Sequence, residues 1–196
     1  MKRLVIAFIV LIVAAADAGS PAWAEPPEGA APQKAVALWR QAYALHLMGA
    51  YEDAVDLYER SIEIQPTAEA HTFLGWSFSH IGRTEAAIAE CKKAIPLDPD
   101  FGNPYNDIGV YLIDLGRLDE AIPWLEKAMG AKRYCCYEFP HYNLGRILLA
   151  KERLEDAERA FERALDYAPG YTPAMIGLDR HFPDNSQLQG NSTTVL

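Results

Sequence analysis

The chain has 196 residues, half of them apolar and 23% charged, with 18 Lys+Arg against 27 Asp+Glu for a net charge of -9. That length suits one domain, and the composition excludes collagen-like, low-complexity and disordered chains. The acidic balance, with no Lys/Arg stripe in any predicted helix, sets nucleic acid aside as a partner, because a phosphate backbone requires a basic footprint.

Lys2 and Arg3 precede an apolar run from Leu4 to Ala16, and Gly19, Ser20 and Pro21 break it before Ala22-Trp23-Ala24. This is the three-part pattern of a secretory signal, so residues 1–24 are expected to be removed and the mature chain to be exported, periplasmic or secreted. The apolar run falls short of the ~20 residues that span a bilayer. No Cys lies near the cleavage point for lipidation, so membrane association is expected to be indirect. Removing Lys2, Arg3 and Asp17 leaves 16 Lys+Arg against 26 Asp+Glu, a net charge of -10. Residues 25–34, rich in Pro and Ala, read as a flexible or polyproline lead-in.

From about residue 35 one unit recurs, most clearly over His141 to Tyr171. There Leu144-Gly145 and Leu148 place small and apolar residues on one face of a first helix, since residues three and four apart are neighbours. Ala157, Phe161 and Ala164 make the stripe of a second helix, which Pro169 closes. Matching starts stand at Gly49, Gly82, Gly116 and Glu152, spaced 33, 34 and 36 residues. The first-helix pattern returns as Leu74-Gly75 with Phe78 and Ile108-Gly109 with Leu112, and the second-helix pairs are Ala54/Tyr58, Ala87/Cys91, Ala121/Leu125 and Ala157/Phe161.

These periods and positions resemble the tetratricopeptide repeat family over about residues 35–180. The resemblance implies an all-α fold, a right-handed α-solenoid of four helix-turn-helix hairpins (about 35–67, 68–101, 102–135 and 138–171) and a C-terminal capping helix at 172–180. The first unit departs, with Gln41-Ala42 and Leu45, as suits an outer repeat. Pro96 and Pro123 lie in predicted second helices and are expected to kink or shorten them. Gly130 to Tyr137 is an irregular junction. In the capping helix Thr172 is the expected N-cap, with Met175 and Leu178 on the apolar side. Residues 181–196 read as a disordered tail.

In the family the first helices line an inner surface that binds a segment of another protein. The expected function is therefore a non-enzymatic interaction scaffold or adaptor in the bacterial cell envelope, its partner another protein or peptide segment. Carried over residue by residue, the inner rows are Trp39 and Tyr43, Thr72 and Trp76, Asn106 and Val110, and Tyr142 and Arg146. Leu38 and Leu45, or Leu74 and Phe78, already fill the core stripes, which leaves Trp39 and Trp76 as groove anchors. A carboxylate clamp is not expected, because aromatic residues and Thr72 hold most of its positions. Nor is an Asn ladder, since Asn106 and Asn143 fall on different rows.

Cys91 stands where Phe161 stands in its own unit and reads as a small buried hydrophobe. Cys135 and Cys136 can form a vicinal disulfide, pair between chains or stay reduced. With His141 they offer an alternative, a redox or metal-handling protein, although three ligands fall short of a closed site. A third reading is a self-assembling structural protein, against which Gln41 and the polar tail argue. No catalytic residue, metal, cofactor or small-molecule substrate is expected, because no Gly-rich phosphate loop, His-Glu metal pair or Ser nucleophile motif occurs.

Overall fold

The computed structural model describes residues 30–182; the expected signal segment and nearly all of the expected tail lie outside the described residues. Among the described residues nine α-helices form: α1 Ala30–Leu47, α2 Tyr51–Ile64, α3 Ala68–His80, α4 Thr84–Leu97, α5 Asn103–Asp114, α6 Leu118–Gly130, α7 Glu138–Ala150, α8 Leu154–Tyr167 and α9 Thr172–His181. The chain divides into two compact units between Asp98 and Pro99. In the first, α1 pairs with α2 and α3 with α4, and α2 packs on α3. In the second, α5 pairs with α6 and α7 with α8, α6 packs on α7, and α9 covers α8. None of the described helices is long and apolar enough to cross a membrane.

Three expectations about helix limits change. α1 begins at Ala30, inside the expected lead-in. Pro32 falls in its first turn, where an N–H has no intrahelical acceptor, so the ring costs no bond. Helices α4 and α6 run on through Pro96 and Pro123 without shortening. Pro96 is next to last in its helix, and Pro123 is one turn from its start, so each forfeits a single bond near an end.

The hairpin turns share one construction. In the first, Gly49 N–H donates to the His46 carbonyl at 2.9 Å and Ala50 N–H to Leu45 at 2.9 Å, a Schellman closure that needs a left-handed residue. The same pair of bonds recurs after α3, α5 and α7. Gly49, Gly82 and Gly116 hold φ of 76°, 76° and 73°, but the fourth turn places Glu152 there at 58°. An L side chain pays ~1 kcal/mol or more in that region. Glu152→Gly is therefore expected to stabilise the second unit by about 0.5–1 kcal/mol, partly offset by the freer unfolded chain; an unchanged urea midpoint would show the turn to be relaxed.

In the second, third and fourth hairpins a glycine faces a larger residue. A Cβ on Gly145 would lie 2.6 Å from the Phe161 ring, one on Gly109 would collide with Leu125, and one on Gly75 would lie 3.2 Å from Cys91 Sγ. Cys91 is fully buried, as its place opposite Gly75 implies. In α9 it is Ala174, Gly177 and Leu178 that turn inward, one helical face, with Gly177 against Phe161. Met175 is exposed instead of apolar-facing, and Tyr171, not Thr172, occupies the cap position. Between α3 and α4 a buried polar link replaces apolar contact: His71 Nδ1 and Glu90 Oε2 are 2.7 Å apart, and Lys93 Nζ donates to Glu90 Oε1 at 2.7 Å. Burial pushes the Glu90 carboxyl up, but the bonds from His71 and Lys93 outweigh it and hold the carboxyl below its ordinary value.

The irregular junction is pinned to the start of its own hairpin. Arg133 N–H donates to the Asp100 carbonyl at 2.8 Å, Gly102 N–H donates to Arg133 at 3.0 Å, and the Arg133 guanidinium sits 4.0 Å from the Phe101 ring centre. Tyr134 is buried against Gly102, and Tyr137 Oη donates to the Ala131 carbonyl at 2.6 Å.

Candidate functional site

In the first unit the inner helices α1 and α3 carry an aromatic stack. Trp39, Tyr43 and His46 recur at helical spacing on α1, and Phe73, Trp76 and His80 on α3. Trp39 stacks on Tyr43 at 5.5 Å and 7°, and both meet the edge of Phe73, at 5.3 and 5.4 Å. Phe73 in turn meets Trp76 edge-on at 5.5 Å, and Trp76 stacks on His46 at 5.0 Å and 16°. Burial, and then His80, pulls the His46 imidazole down to about 4, so the ring is neutral at physiological pH and shares a 2.9 Å hydrogen bond with Ser77 Oγ.

The expectation that Trp39 is left over from the core is corrected: it is 8% exposed. It follows Leu38 on a stripe wide enough to take both, and Phe73 on the neighbouring helix covers it. Thr72 is also buried, its Oγ1 donating to the Ala68 carbonyl one turn back at 2.7 Å. The surface falls to Trp76, 40% exposed, and to half-buried Tyr43. Phe73, the hub of the stack, was absent from the predicted rows.

In the second unit Asn106 and Asn143, expected on different rows, are brought together. Arg146 Nη1 donates to Asn143 Oδ1 at 3.2 Å, Asn143 Nδ2 donates to Asn106 Oδ1 at 3.3 Å, and Asn106 Nδ2 donates to Asp107 Oδ1 at 3.4 Å. Asn106 and Asn143 are 7% and 6% exposed, so each amide needs the other. Row matching placed them apart, but the junction lengthens the period here, and 37 residues bring Asn143 opposite Asn106. Beside this relay Val110, Tyr142 and Arg146 are half-buried. The Tyr142 ring meets Tyr171 edge-on at 5.4 Å, and Phe139, which is exposed, meets Tyr171 at 5.5 Å.

Asp107 ends the relay. Burial pushes its carboxyl up to about 7, against the hydrogen bond from Asn106. Asn-Asp in the middle of an otherwise apolar helix was the signal for it. Of the residues of the alternative centre, Cys135 and Cys136 are joined to each other in a vicinal disulfide, and His141 stacks on Tyr167 at 5.3 Å and 14°. Among the described residues no group of three or more His, Cys, Asp or Glu side chains is placed to hold a metal ion.

Paired helices in 33- to 36-residue steps, Gly-to-large contacts and Schellman turns define a helical repeat protein, and three models of the tetratricopeptide repeat match residues 48–100, 103–135 and 139–171. The chain belongs to the tetratricopeptide repeat family and has its all-α solenoid fold. It is 32% identical over 80 residues to small glutamine-rich tetratricopeptide repeat-containing protein 2 of Mycosarcoma maydis, a match covering 40% of this chain and 23% of that protein. The chain spans 23%, 29% and 32% of the length of three curated relatives it matches. Among solved structures it is similar to Pseudomonas aeruginosa pilF, at 22% identity and a TM-score of 0.74 over 80% of this chain and 71% of that one. It is also similar to YrrB, a TPR protein with an unusual peptide-binding site, at 20% identity and a TM-score of 0.60 over 72% of each chain.

Proposed function

We propose that the protein is a non-enzymatic interaction scaffold of the bacterial cell envelope, which binds a segment of a partner protein on the faces of its inner helices. The observation that carries this reading is Trp76. A large aromatic ring, 40% exposed, is held between His46 and Phe73 so that it cannot fold back into the core. An anchored Trp gives a partner contact area at little entropic cost. Tyr43 stands on the other inner helix of the first unit, and in the second unit Val110, Tyr142 and Arg146 are half-buried on the inner helices. Family membership and the peptide-binding site of YrrB support a peptide segment as the partner. Export rests on the Lys2-Arg3, apolar run and Ala22-Trp23-Ala24 pattern.

The test places a photo-crosslinking amino acid at Trp76, at Tyr142, or at exposed Glu126 on a second helix, in cells expressing the full chain. Adducts with an envelope protein from positions 76 and 142, and none from 126, are expected. Adducts from 126 alone would move the working surface to the second helices. A chain of undiminished mass in the cytoplasmic fraction would overturn the envelope assignment.

A further inference from the structure

The chain has three cysteines, and the fold sorts them by access. Cys91 is fully buried and outside any disulfide. Cys135 and Cys136 are joined to each other, Cys135 exposed and Cys136 half-buried. A disulfide stabilises a protein chiefly by closing a loop of the unfolded chain, and the effect grows with the loop. Adjacent residues close no such loop, so this bond adds little to the stability of the fold.

Its neighbours are held without it. On one side Arg133 N–H donates to the Asp100 carbonyl at 2.8 Å, and the Arg133 carbonyl accepts from Gly102 N–H at 3.0 Å. On the other, Tyr137 Oη donates to the Ala131 carbonyl at 2.6 Å, and Phe139 N–H donates to the Cys136 carbonyl at 3.1 Å. Both flanks are therefore anchored whether or not the sulfurs are joined, and the bond can open and close without unfolding the hairpins on either side. An exposed disulfide that braces nothing belongs with the labile, exchangeable ones and not with the protected structural ones.

We propose that Cys135–Cys136 is a reversible thiol-exchange site, whose reactant is the thiolate of a small thiol or of a cysteine on another protein. The thiolate attacks Cys135 Sγ, the exposed sulfur. The bond to Cys136 Sγ breaks, its electron pair leaves on Cys136, which takes a proton from water, and the incoming sulfur is bound to Cys135 as a mixed disulfide. A second thiolate attacks the incoming sulfur, carries it away as a disulfide, and leaves the electron pair on Cys135. Two thiols are thereby oxidised and the Cys135–Cys136 pair is reduced by the same two electrons; the oxidised reagent runs the steps backwards. The site lies outside the rows of the inner helices and stands independently of the segment-binding reading.

The test equilibrates the full chain in buffers of reduced and oxidised glutathione, alkylates it with N-ethylmaleimide and weighs it by mass spectrometry. No addition is expected in the oxidised buffer and two in the reduced one, reversibly, with Cys91 labelled only after denaturation. The urea midpoint is expected to be the same with the bond open and closed. Cys136→Ser should collect a glutathione adduct at Cys135, and Cys135→Ser about tenfold less at Cys136, the less accessible sulfur. In cells, the mass carried by Cys135 in Cys136→Ser separates a small thiol from a protein. A bond that resists reduced glutathione until urea is added, two free thiols in every buffer, or a bare Cys135 thiol on the variant recovered from cells would overturn the site. A midpoint that falls on reduction would make the bond a structural brace, and equal adducts on the two variants would overturn the order of attack. The titration of the native chain needs no variant, so it decides the matter even if a substitution disturbs the junction.

Discussion

Replacing Phe161 by alanine is expected to lower the stability of the second unit by about 4 kcal/mol, in the range of roughly 3–5 for a buried Phe. The ring is 1% exposed and joins three helices, lying against Gly145 of α7, Gly177 of α9 and the Tyr142 ring at 5.8 Å. Two of its walls are glycine, so no side chain there can swing in to refill the space, and the cavity term is near its full size. Phe161→Leu should cost less than about 1.5 kcal/mol, because Leu125 already fills the equivalent place against Gly109. Urea unfolding followed by circular dichroism measures both. Equal losses for Ala and Leu would mean that the ring is not what joins these helices.

Asp107→Asn is expected to do the opposite and stabilise the protein above neutral pH. A carboxyl whose folded value stands at about 7, above the ordinary 3.8, binds its proton more tightly in the folded state. Its contribution is therefore fully present below pH ~4 and is lost as pH rises to ~7. At 1.36 kcal/mol per pH unit the loss is up to roughly 4 kcal/mol, and about 2 is a fairer figure for a half-buried residue. Asparagine keeps the shape and an oxygen for Asn106 but removes the titration. The Tyr134 phenol, which feels the Asp107 charge, is pushed upward, away from this window. Melting the native and variant proteins from pH 5 to 8 should show curves that diverge as pH rises, by about 2 kcal/mol at the top. A constant gap would assign the difference to packing.

The hairpins were legible because their signals repeat in register: Gly at the turn, a small residue opposite a large one, Pro at the close. Glu152 and Cys91 break the pattern, yet each keeps the structural position that the other units define. The surface was harder to read. Helical spacing says that Trp39 and Tyr43 share a face, but the width of the core stripe is set by the neighbouring helix, and Phe73 takes Trp39 into the interior. Trp76, though it meets His46 and Phe73, keeps 40% of its surface exposed. The Asn106–Asn143 bond depends on how the two extra residues of the junction shift one helix along another, which row-by-row matching treats as zero. Asp107 lies beside a predicted position, and only its surroundings make it stand out.

The pairing of Arg133 with Asp100 and Gly102 ties together the two ends of the α5–α6 hairpin. That tie closes the hairpin on itself before the chain goes on to α7. Slack, insertions or cleavage between Tyr134 and Glu138 would be taken up beyond the tie, leaving α5 and α6 in register. The extra residues that disturb the repeat period therefore sit where a change of length is tolerated best, and related chains could vary there without relearning how to fold the unit before it.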